Sequence, residues 1–397
     1  MKTAVLGYNI FAVGGTTRSN INLLKIFSQH GKTTYYNYVS FDSHDVDLLT
    51  QKNSFLKGIC FASFDSLFKV TQLDFDVIFV TREDFFPIAK LLRFLAPHAL
   101  IIGEIHTPLA LLGKLKGLCY FSCLRVATPS IKKEFIKRYK FKRLYVQTVS
   151  LNHLKWQPPD LTLTTNFVIQ SRFCEKQKDI LYSLRLFNEL HEKGYHNFYL
   201  YIKGEGHDKA VYQDYIKKHR LTKQIKFVSK LPFHYIYLST SNFETLGYSI
   251  IEAVAAGHQV IAYKGKDNVI YENLKDVPAI TWLEKQSLEQ DTCKLITVTH
   301  QILNPQKFNE SRAVIIDLAG NYFEFFKKSV RVFKKQKFTS FTLSPEQRNE
   351  IKQELEQKLG KLNPSFLKKI YYKMLKCPLF NKIFKSSWIQ KLKRNLN

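Results

Sequence analysis

The sequence lacks closely paired cysteines, a long uninterrupted apolar run and a leader-like start. None of its six cysteines has C-x-x-C spacing, which argues against a zinc site. The most apolar region, residues 94–118, is broken by charged residues and histidines, so we expect no membrane-spanning helix. The start, MKTAVLGYNIFAVGG, runs directly into a strand-and-turn pattern, so we expect no secretory signal, reduced thiols and a cytoplasmic location.

Acidic residues are scarce: 33 Asp and Glu stand against 60 Lys and Arg, a net charge of +27. Such a balance favours polyanionic partners, namely phosphorylated ligands, an anionic membrane face or nucleic acid. The excess lies in residues 1–160, with 21 basic and 11 acidic side chains, and in residues 357–397, with 11 basic and none acidic. Residues 131–143 carry seven basic side chains, which suits either a solvated helix face or an anion-binding patch.

Strand-like and helix-like segments alternate in two series, separated by a connector around Pro158-Pro159. The pattern predicts an α/β protein with one doubly wound domain at 1–155, a second at 156–335 and a helical tail at 336–397. The first long helix is predicted at 20–31. Because ligands bind at the carboxyl ends of parallel strands, we expect two sheets to share one cleft.

Residues 239–263, STSNFETLGYSIIEAVAAGHQVIAY, carry the most informative motif. We expect Glu244 in the loop before a helix and Glu252 one or two turns inside it, both facing the cleft. Gly247, Tyr248 and Ser249 would then offer free backbone N–H groups, which suit a pyrophosphate. Two carboxylates beside a phosphate would repel it unless they bind sugar and ribose hydroxyls.

This segment resembles the E-x7-E motif of retaining GT-B glycosyltransferases, specifically glycosyltransferase family 4. SRFCEKQKDILYSLRLFNEL (171–190) resembles the family's strand–Arg–loop–Lys–helix segment, and YIKGEGHD (201–208) resembles the G-x-G that follows the next strand. AVGGTTRSNINLL (12–24) resembles its phosphate-side glycine turn, also seen in teichoic acid glucosyltransferases, and IIGEIHTPL (101–109) its histidine-bearing strand. The resemblance covers about residues 1–335.

The resemblance implies a GT-B fold, with an acceptor-side domain followed by a donor domain, and it implies roles for individual residues. These are Glu244 for the transferring sugar, Glu252 for the ribose, Arg172 and Lys176 for the diphosphate, His106 for the active site, and Gly14 and Gly15 for a close turn behind the phosphates. Lys178 competes with Lys176. Each residue also has a structural explanation, such as a helix-end acid for Glu244 or a hydrogen-bonded strand-end histidine for His106.

Three departures from the family pattern affect these assignments. Thr245 follows Glu244 where the family usually has glycine. The spacing from Arg172 to Lys176 is one position shorter than is common in the family. Residues 264–272 lack the glycine-rich form often seen at this position.

The resemblance predicts a metal-independent retaining glycosyltransferase that needs no cofactor and uses a nucleotide sugar, UDP-linked, as co-substrate. Its acceptor would be an anionic or lipid-linked glycan, such as teichoic acid or another cell-surface glycopolymer, with a glycosylated protein as the alternative. No strand-end D-x-D motif is present to bind a metal. The alternatives are a GT-B sugar-nucleotide epimerase, which the 239–263 motif argues against, and a nucleic-acid-binding protein, for which no binding module is visible and no nucleic-acid partner is expected.

The tail divides into two parts of different chemistry. Residues 342–360 read as a solvated mixed-charge spacer helix that begins at Ser344-Pro345 and ends at Gly360. Residues 364–397 combine a helical apolar stripe with Lys and Arg only, which predicts peripheral binding to the anionic inner face of the cell membrane. The alternative is that this stripe docks onto the first domain.

Overall fold

The computed structural model describes residues 1–12, 14–334 and 338–362, and two parallel sheets organise this part of the chain. The strands are β1 Thr3–Gly7, β2 Thr33–Asn37, β3 Cys60–Ser63, β4 Val77–Val80, β5 Leu100–Glu104, β6 Cys123–Val126, β7 Leu144–Val146, β8 Asn166–Gln170, β9 Tyr199–Lys203, β10 Ile225–Phe227, β11 Ile236–Ser239, β12 Val260–Tyr263 and β13 Ile280–Leu283. Two parallel α/β units were predicted, and this prediction is confirmed.

Helices flank both sheets. They are α1 Gly15–Ser28, α2 Ser43–Lys52, α3 Ile88–Leu95, α4 Pro129–Tyr139, α5 Glu175–Lys178, α6 Ile180–Glu192, α7 Lys209–Lys218, α8 Tyr248–Ala255, α9 Val269–Leu274, α10 Leu288–Thr299, α11 Pro305–Ala319, α12 Tyr322–Val330 and α13 Pro345–Leu359. The first helix begins at Gly15, ahead of the predicted start at Asn20. The sequence pattern did not identify α2, α3, α9, α10, β3 and β13. Of these, β3 is a partly exposed edge strand with a weak apolar signal.

The strand order fixes where a ligand can bind. The first sheet runs β3-β2-β1-β4-β5-β6-β7 and the second β10-β9-β8-β11-β12-β13. The order reverses between β1 and β4 in the first sheet and between β8 and β11 in the second, and crevices open at such switch points. The loops after these four strands are therefore the natural place for functional residues.

The chain crosses back to the first sheet after the second is complete. In α12, Tyr322, Phe326 and Val330 are buried in the same core as Phe27 of α1 and Phe79 of β4 in the first sheet. This helix lies inside the range predicted for the donor domain, but it packs against the first sheet. The domain boundaries themselves stay a prediction.

Helix α13 begins and ends as the sequence indicates, with a capping box at Ser344 and its end at Gly360. Its interpretation as a solvated spacer is wrong, since Ile351 and Leu355 are buried in the core of the first sheet. Lys352 Nζ also lies 2.7 Å from a carboxylate oxygen of Asp65. Apolar residues one helical turn apart among many charges gave too weak a signal.

The basic stripe at 364–397 lies outside the described residues, so the prediction of a membrane-binding tail stays a prediction. Within the described residues, no helix combines the length and apolar character needed to cross a bilayer.

Candidate active site between the two sheets

The loop from β11 into α8 has the predicted form. Glu244 lies in the loop and Glu252 in the second turn of the helix. Gly247 caps the helix in a left-handed conformation, with φ of 70°, and a Cβ there would lie 2.7 Å from a methyl group of Ile270. Only glycine fits this position without strain. The turn thus directs the first N–H groups of α8, at Tyr248 and Ser249, away from the helix and toward the cleft.

Glu244 is paired with Lys178, not with Lys176. The Lys178 ammonium contacts the Glu244 carboxylate, and the two side chains are 13% and 15% exposed. Ser249 lines the same small pocket as this pair. Lys176, by contrast, is exposed on α5, and exposed Arg172 donates a 3.3 Å hydrogen bond to Gln177. The structure therefore favours the competing assignment, Lys178, as the lysine of the cleft.

Lys285, whose side chain is 10% exposed, was not identified from the sequence and holds the segment before this loop. Lys285 Nζ donates hydrogen bonds to Asp179 Oδ2 at 2.6 Å and to the Thr240 carbonyl at 2.7 Å. Burial lowers the pKa of Lys285, against the opposing effect of Asp179. Because Lys285 is distant from both partners along the chain, no local pattern could reveal the contact. It fixes the segment just before Glu244.

Glu252 reaches across to the first sheet. Its carboxylate lies 3.1 Å from His153 Nε2, in the connector, and 3.9 Å from Arg18 Nε, in α1. His153 in turn bonds to Asn22 of α1 at 2.9 Å. The carboxylate faces the cleft as predicted, and part of its environment comes from the opposite wall.

The glycine turn and the start of α8 meet across the cleft. A Cβ on Gly15 would lie 3.5 Å from the Tyr248 ring, while one on Gly14 would meet no atom within 4 Å. The Tyr248 ring also packs edge-on against His153 at 5.4 Å, and burial raises the pKa of its hydroxyl. Two helix amino termini, those of α1 and α8, therefore converge on one space, and their dipoles favour an anion there.

His106 follows β5 and is held by buried charges. Its Nε2 lies 2.8 Å from Glu104 Oε2, and Glu104 pairs through its other oxygen with Arg125 Nε at 2.9 Å. Burial alone would raise the pKa of Glu104, but Arg125 and His106 outweigh it and lower the pKa to about 2. Glu104 is thus an anion at neutral pH, in contact with the histidine.

The backbone at His106 is held separately. A carboxylate oxygen of Glu83 accepts hydrogen bonds from the N–H groups of His106, at 2.5 Å, and Thr107, at 2.6 Å. Glu83, Glu104 and Arg125 were not identified from the sequence. Their partners are distant in the chain, and Glu104 and Arg125 lie within strands β5 and β6. The acid in the strand IIGE was the one available signal, since a buried strand rarely carries an unpaired carboxylate.

A cationic side chain, Arg82, also lies at the carboxyl ends of the first-sheet strands. The Arg82 guanidinium, which follows β4, lies 5.0 Å from the Tyr8 ring centroid, and Tyr8 follows β1. Arg82 is paired with Asp84 at 2.6 Å and stays 33% exposed. Because β4 lies between β1 and β5, Arg82 stands between the glycine turn and His106.

Comparison with solved structures shows which architecture this is. The chain superposes on Staphylococcus aureus TarM in a complex with Fondaparinux, alpha-GlcNAc-glycerol and UDP, with a TM-score of 0.65, 12% identity, and coverage of 84% of this chain and 100% of that chain. The chain has the GT-B fold. HepE of Anabaena, in complex with UDP and glucose, gives a TM-score of 0.63 with 14% identity, covering 83% and 100%. The apo lipopolysaccharide outer core galactosyltransferase WaaB gives 0.58 with 15% identity, covering 84% and 99%.

A family model agrees for part of the chain. Residues 157–273 match the family described as Glycosyl transferases group 1. No curated protein matches the sequence. The predicted GT-B fold is confirmed. The segment that matches the family model contains the β11–α8 loop with both glutamates.

Proposed function

We propose that this protein is a retaining glycosyltransferase of family 4 that transfers a sugar from a UDP-sugar to an anionic glycan acceptor. The observation that carries the proposal is the half-cleft built by α8: Glu244 against Lys178, and Glu252 facing α1 across the gap. The TarM and HepE structures contain UDP, and this supports a uridine nucleotide as the leaving group.

The diphosphate would lie between the amino termini of α1 and α8. Gly14 and Gly15 leave room for it, and the N–H groups of Tyr248 and Ser249 donate to it. Arg172 and Lys178 would neutralise the charge that develops as the donor bond breaks, the electrostatic role that a metal fills in other enzymes. We therefore propose metal-independent catalysis, and expect EDTA to leave most activity intact.

The transfer would proceed by attack on the face from which the leaving group departs. The acceptor hydroxyl oxygen bonds to the anomeric carbon as the bond from that carbon to the diphosphate oxygen breaks. The hydroxyl proton passes to the departing diphosphate oxygen, so atoms and charge balance without a protein nucleophile. Glu244 orients sugar hydroxyls, Glu252 accepts from the ribose after exchanging its bonds to His153 and Arg18, and His106 contacts the sugar from the first-sheet side.

The acceptor would enter over the first sheet. Arg82 on the Tyr8 ring offers a guanidinium and an aromatic face within one site, and a guanidinium suits a phosphate or carboxylate on a glycan. The net charge of +27 acts in the same direction. We propose a teichoic acid, another surface glycopolymer or a lipid-linked glycan, reached at the cytoplasmic face of the membrane through residues 364–397.

The test is a panel of nucleotide sugars, with binding and turnover measured separately. We expect UDP to raise the melting temperature, one UDP-sugar to be consumed only with an anionic glycan present, and the product to keep the donor's anomeric configuration. Conversion of a UDP-sugar without any acceptor would instead identify an epimerase. An inverted product would contradict the retaining assignment.

The membrane arm needs its own test. Deleting residues 364–397 should release the protein from vesicles that contain anionic lipid while preserving turnover of a soluble acceptor, since attraction is worth about 1 kcal/mol per basic residue near the surface. Raising the salt concentration should release the full chain in the same way. If the truncated chain unfolds, the stripe belongs to the core and the membrane role is wrong.

A further inference from the structure

Three side chains with metal-ligand chemistry meet outside the pairs described above. Cys174 lies before α5, and His207 and Asp208 lie between β9 and α7. The thiol sulfur, an imidazole nitrogen and a carboxylate oxygen lie within 4.8 Å of one another. Throughout residues 1–12, 14–334 and 338–362, this is the single group of three or more such side chains at that spacing.

The two loops that supply these side chains are fastened backbone to backbone. Gly204 and Gly206 have φ of 155° and 156°, and a Cβ on either would overlap the carbonyl oxygens of Ser171 and Phe173, respectively. Phe173 N–H donates to the Glu205 carbonyl at 2.8 Å. The spacing of the three ligands therefore follows from the fold itself rather than from the flexible ends of long side chains.

One ligand is already oriented. The Asp208 carboxylate accepts a hydrogen bond from the Glu175 N–H at 2.7 Å and lies 3.2 Å from His207 Nε2. Hydrogen bonds of this kind fix a metal ligand before the ion arrives. His207 is 76% exposed, so its ring is free to turn toward Cys174 without disturbing any packing.

We propose that Cys174, His207 and Asp208 bind Zn²⁺, with water as the fourth ligand. A sulfur, nitrogen and oxygen set is the chemistry of zinc, whereas Mg²⁺ and Ca²⁺ take oxygen ligands. Zinc bonds of roughly 2.0–2.3 Å place tetrahedral ligand atoms about 3–4 Å apart, so the observed spacing within 4.8 Å requires only a small closure. The Cys174 thiol gives its proton to solvent when the ion binds.

This assignment reverses the expectation of no metal site, which rested on cysteine spacing along the chain. Here the partners of Cys174 come from the loop after the neighbouring strand β9, so the spacing of cysteines along the chain could not reveal them. The bound ion would join the loop that carries Arg172 to the loop that follows β9. The proposed zinc site does not depend on glycosyltransferase activity, so it can be tested independently of the proposed function.

The experiment titrates the full metal-free chain with Zn²⁺ against a chromophoric chelator, and with Co²⁺ as a spectroscopic probe. We expect one equivalent to bind and Co²⁺ to show a thiolate charge-transfer band. Cys174→Ser should abolish that band and weaken Zn²⁺ binding by more than about 100-fold. Cys293→Ser removes an exposed cysteine outside the cluster and should change neither.

A second variant guards against misfolding. His207→Gln replaces an exposed side chain, so the protein should keep its circular dichroism and melting temperature, and Zn²⁺ binding should weaken about 10–100-fold. A Co²⁺ band that survives in Cys174→Ser would overturn the proposal. So would Zn²⁺ binding that is unchanged in His207→Gln, which would direct attention to the His191–His196 pair.

Discussion

The two walls of the cleft are built in different ways. On the second sheet, Glu244, Tyr248, Ser249 and Glu252 come from one continuous segment, and Lys178, the partner of Glu244, is 13% exposed. On the first sheet, His106 is held by Glu104 and Arg125, each 1% exposed and drawn from different strands. One wall is a motif that can be found in the sequence, whereas the other is a buried ionic network that exists only after folding.

This difference has an energetic side. A buried ion pair stabilises little relative to apolar residues, but removing one partner leaves an uncompensated charge in the interior. The Lys178 and Glu244 side chains are 13% and 15% exposed, against 1% each for Arg125 and Glu104, so removing one partner of the Lys178–Glu244 pair leaves a charge that water in the cleft can still reach. Substitutions in the first-sheet wall should therefore unfold the protein, whereas substitutions in the second-sheet wall should reduce its activity. Measurements of stability and turnover can separate these outcomes.

The largest effect is expected for Arg125→Met. It leaves Glu104 buried without its guanidinium partner, so we expect the free energy of unfolding to fall by about 3–5 kcal/mol, measured by urea denaturation. Lys133→Met, on the exposed face of α4, is the control and should change it by about 0.5 kcal/mol or less. A loss below about 1 kcal/mol for Arg125→Met would erase the contrast between the walls.

On the opposite wall, Lys178→Ala should lower donor turnover about 10²–10³-fold while the melting temperature stays nearly constant. The reason is the loss of one charge that stabilises the leaving diphosphate. Lys176→Ala is the matched control on the same short helix, with an exposed side chain. Greater damage from Lys176→Ala would make Lys176 the diphosphate ligand, and unaltered turnover in both variants would contradict the proposed leaving-group chemistry.

The same contrast explains what the sequence could predict. Strand-and-helix alternation predicted two parallel domains because buried parallel strands are short, wholly apolar runs. The Glu244–Glu252 spacing was readable because both residues belong to one loop and helix. Glu83 and Lys285 were not readable, since each acts on backbone that is distant in the chain. The packing of α13 was also missed, because two buried apolar residues do not stand out in a highly charged helix.

Acid should weaken the first-sheet wall through Glu104. The pKa of Glu104 is about 2 in the folded protein, below its ordinary value of 4.5, because Arg125 and His106 outweigh the effect of burial. A lowered pKa stabilises the fold above the ordinary value, and this stabilisation is lost as pH falls through the range from about 5 to 2. The contribution is about 3 kcal/mol.

The measurement is urea unfolding as a function of pH in the wild-type protein and in Glu104→Gln. The variant cannot titrate at this position, so its stability should fall less steeply between pH 5 and pH 2. Parallel profiles in the two proteins would show that folding does not shift the pKa of Glu104, and so would contradict the proposed effect of Arg125 and His106 on it.

The smallest effect is expected where the first wall meets solvent. Arg82 is one-third exposed and already paired with Asp84, so its loss should leave both folding and UDP binding unchanged. We expect Arg82→Ala to raise the KM for an anionic acceptor about tenfold, which corresponds to about 1.4 kcal/mol, with kcat little affected. Asp84→Ala removes the competing carboxylate and keeps the cation, so it should lower that KM or leave it constant.

A neutral acceptor should show no difference between the variants, because the guanidinium recognises charge. If Arg82→Ala changes the KM for neutral and anionic acceptors equally, Arg82 acts by packing against Tyr8, and the cleft selects its acceptor by shape rather than by charge.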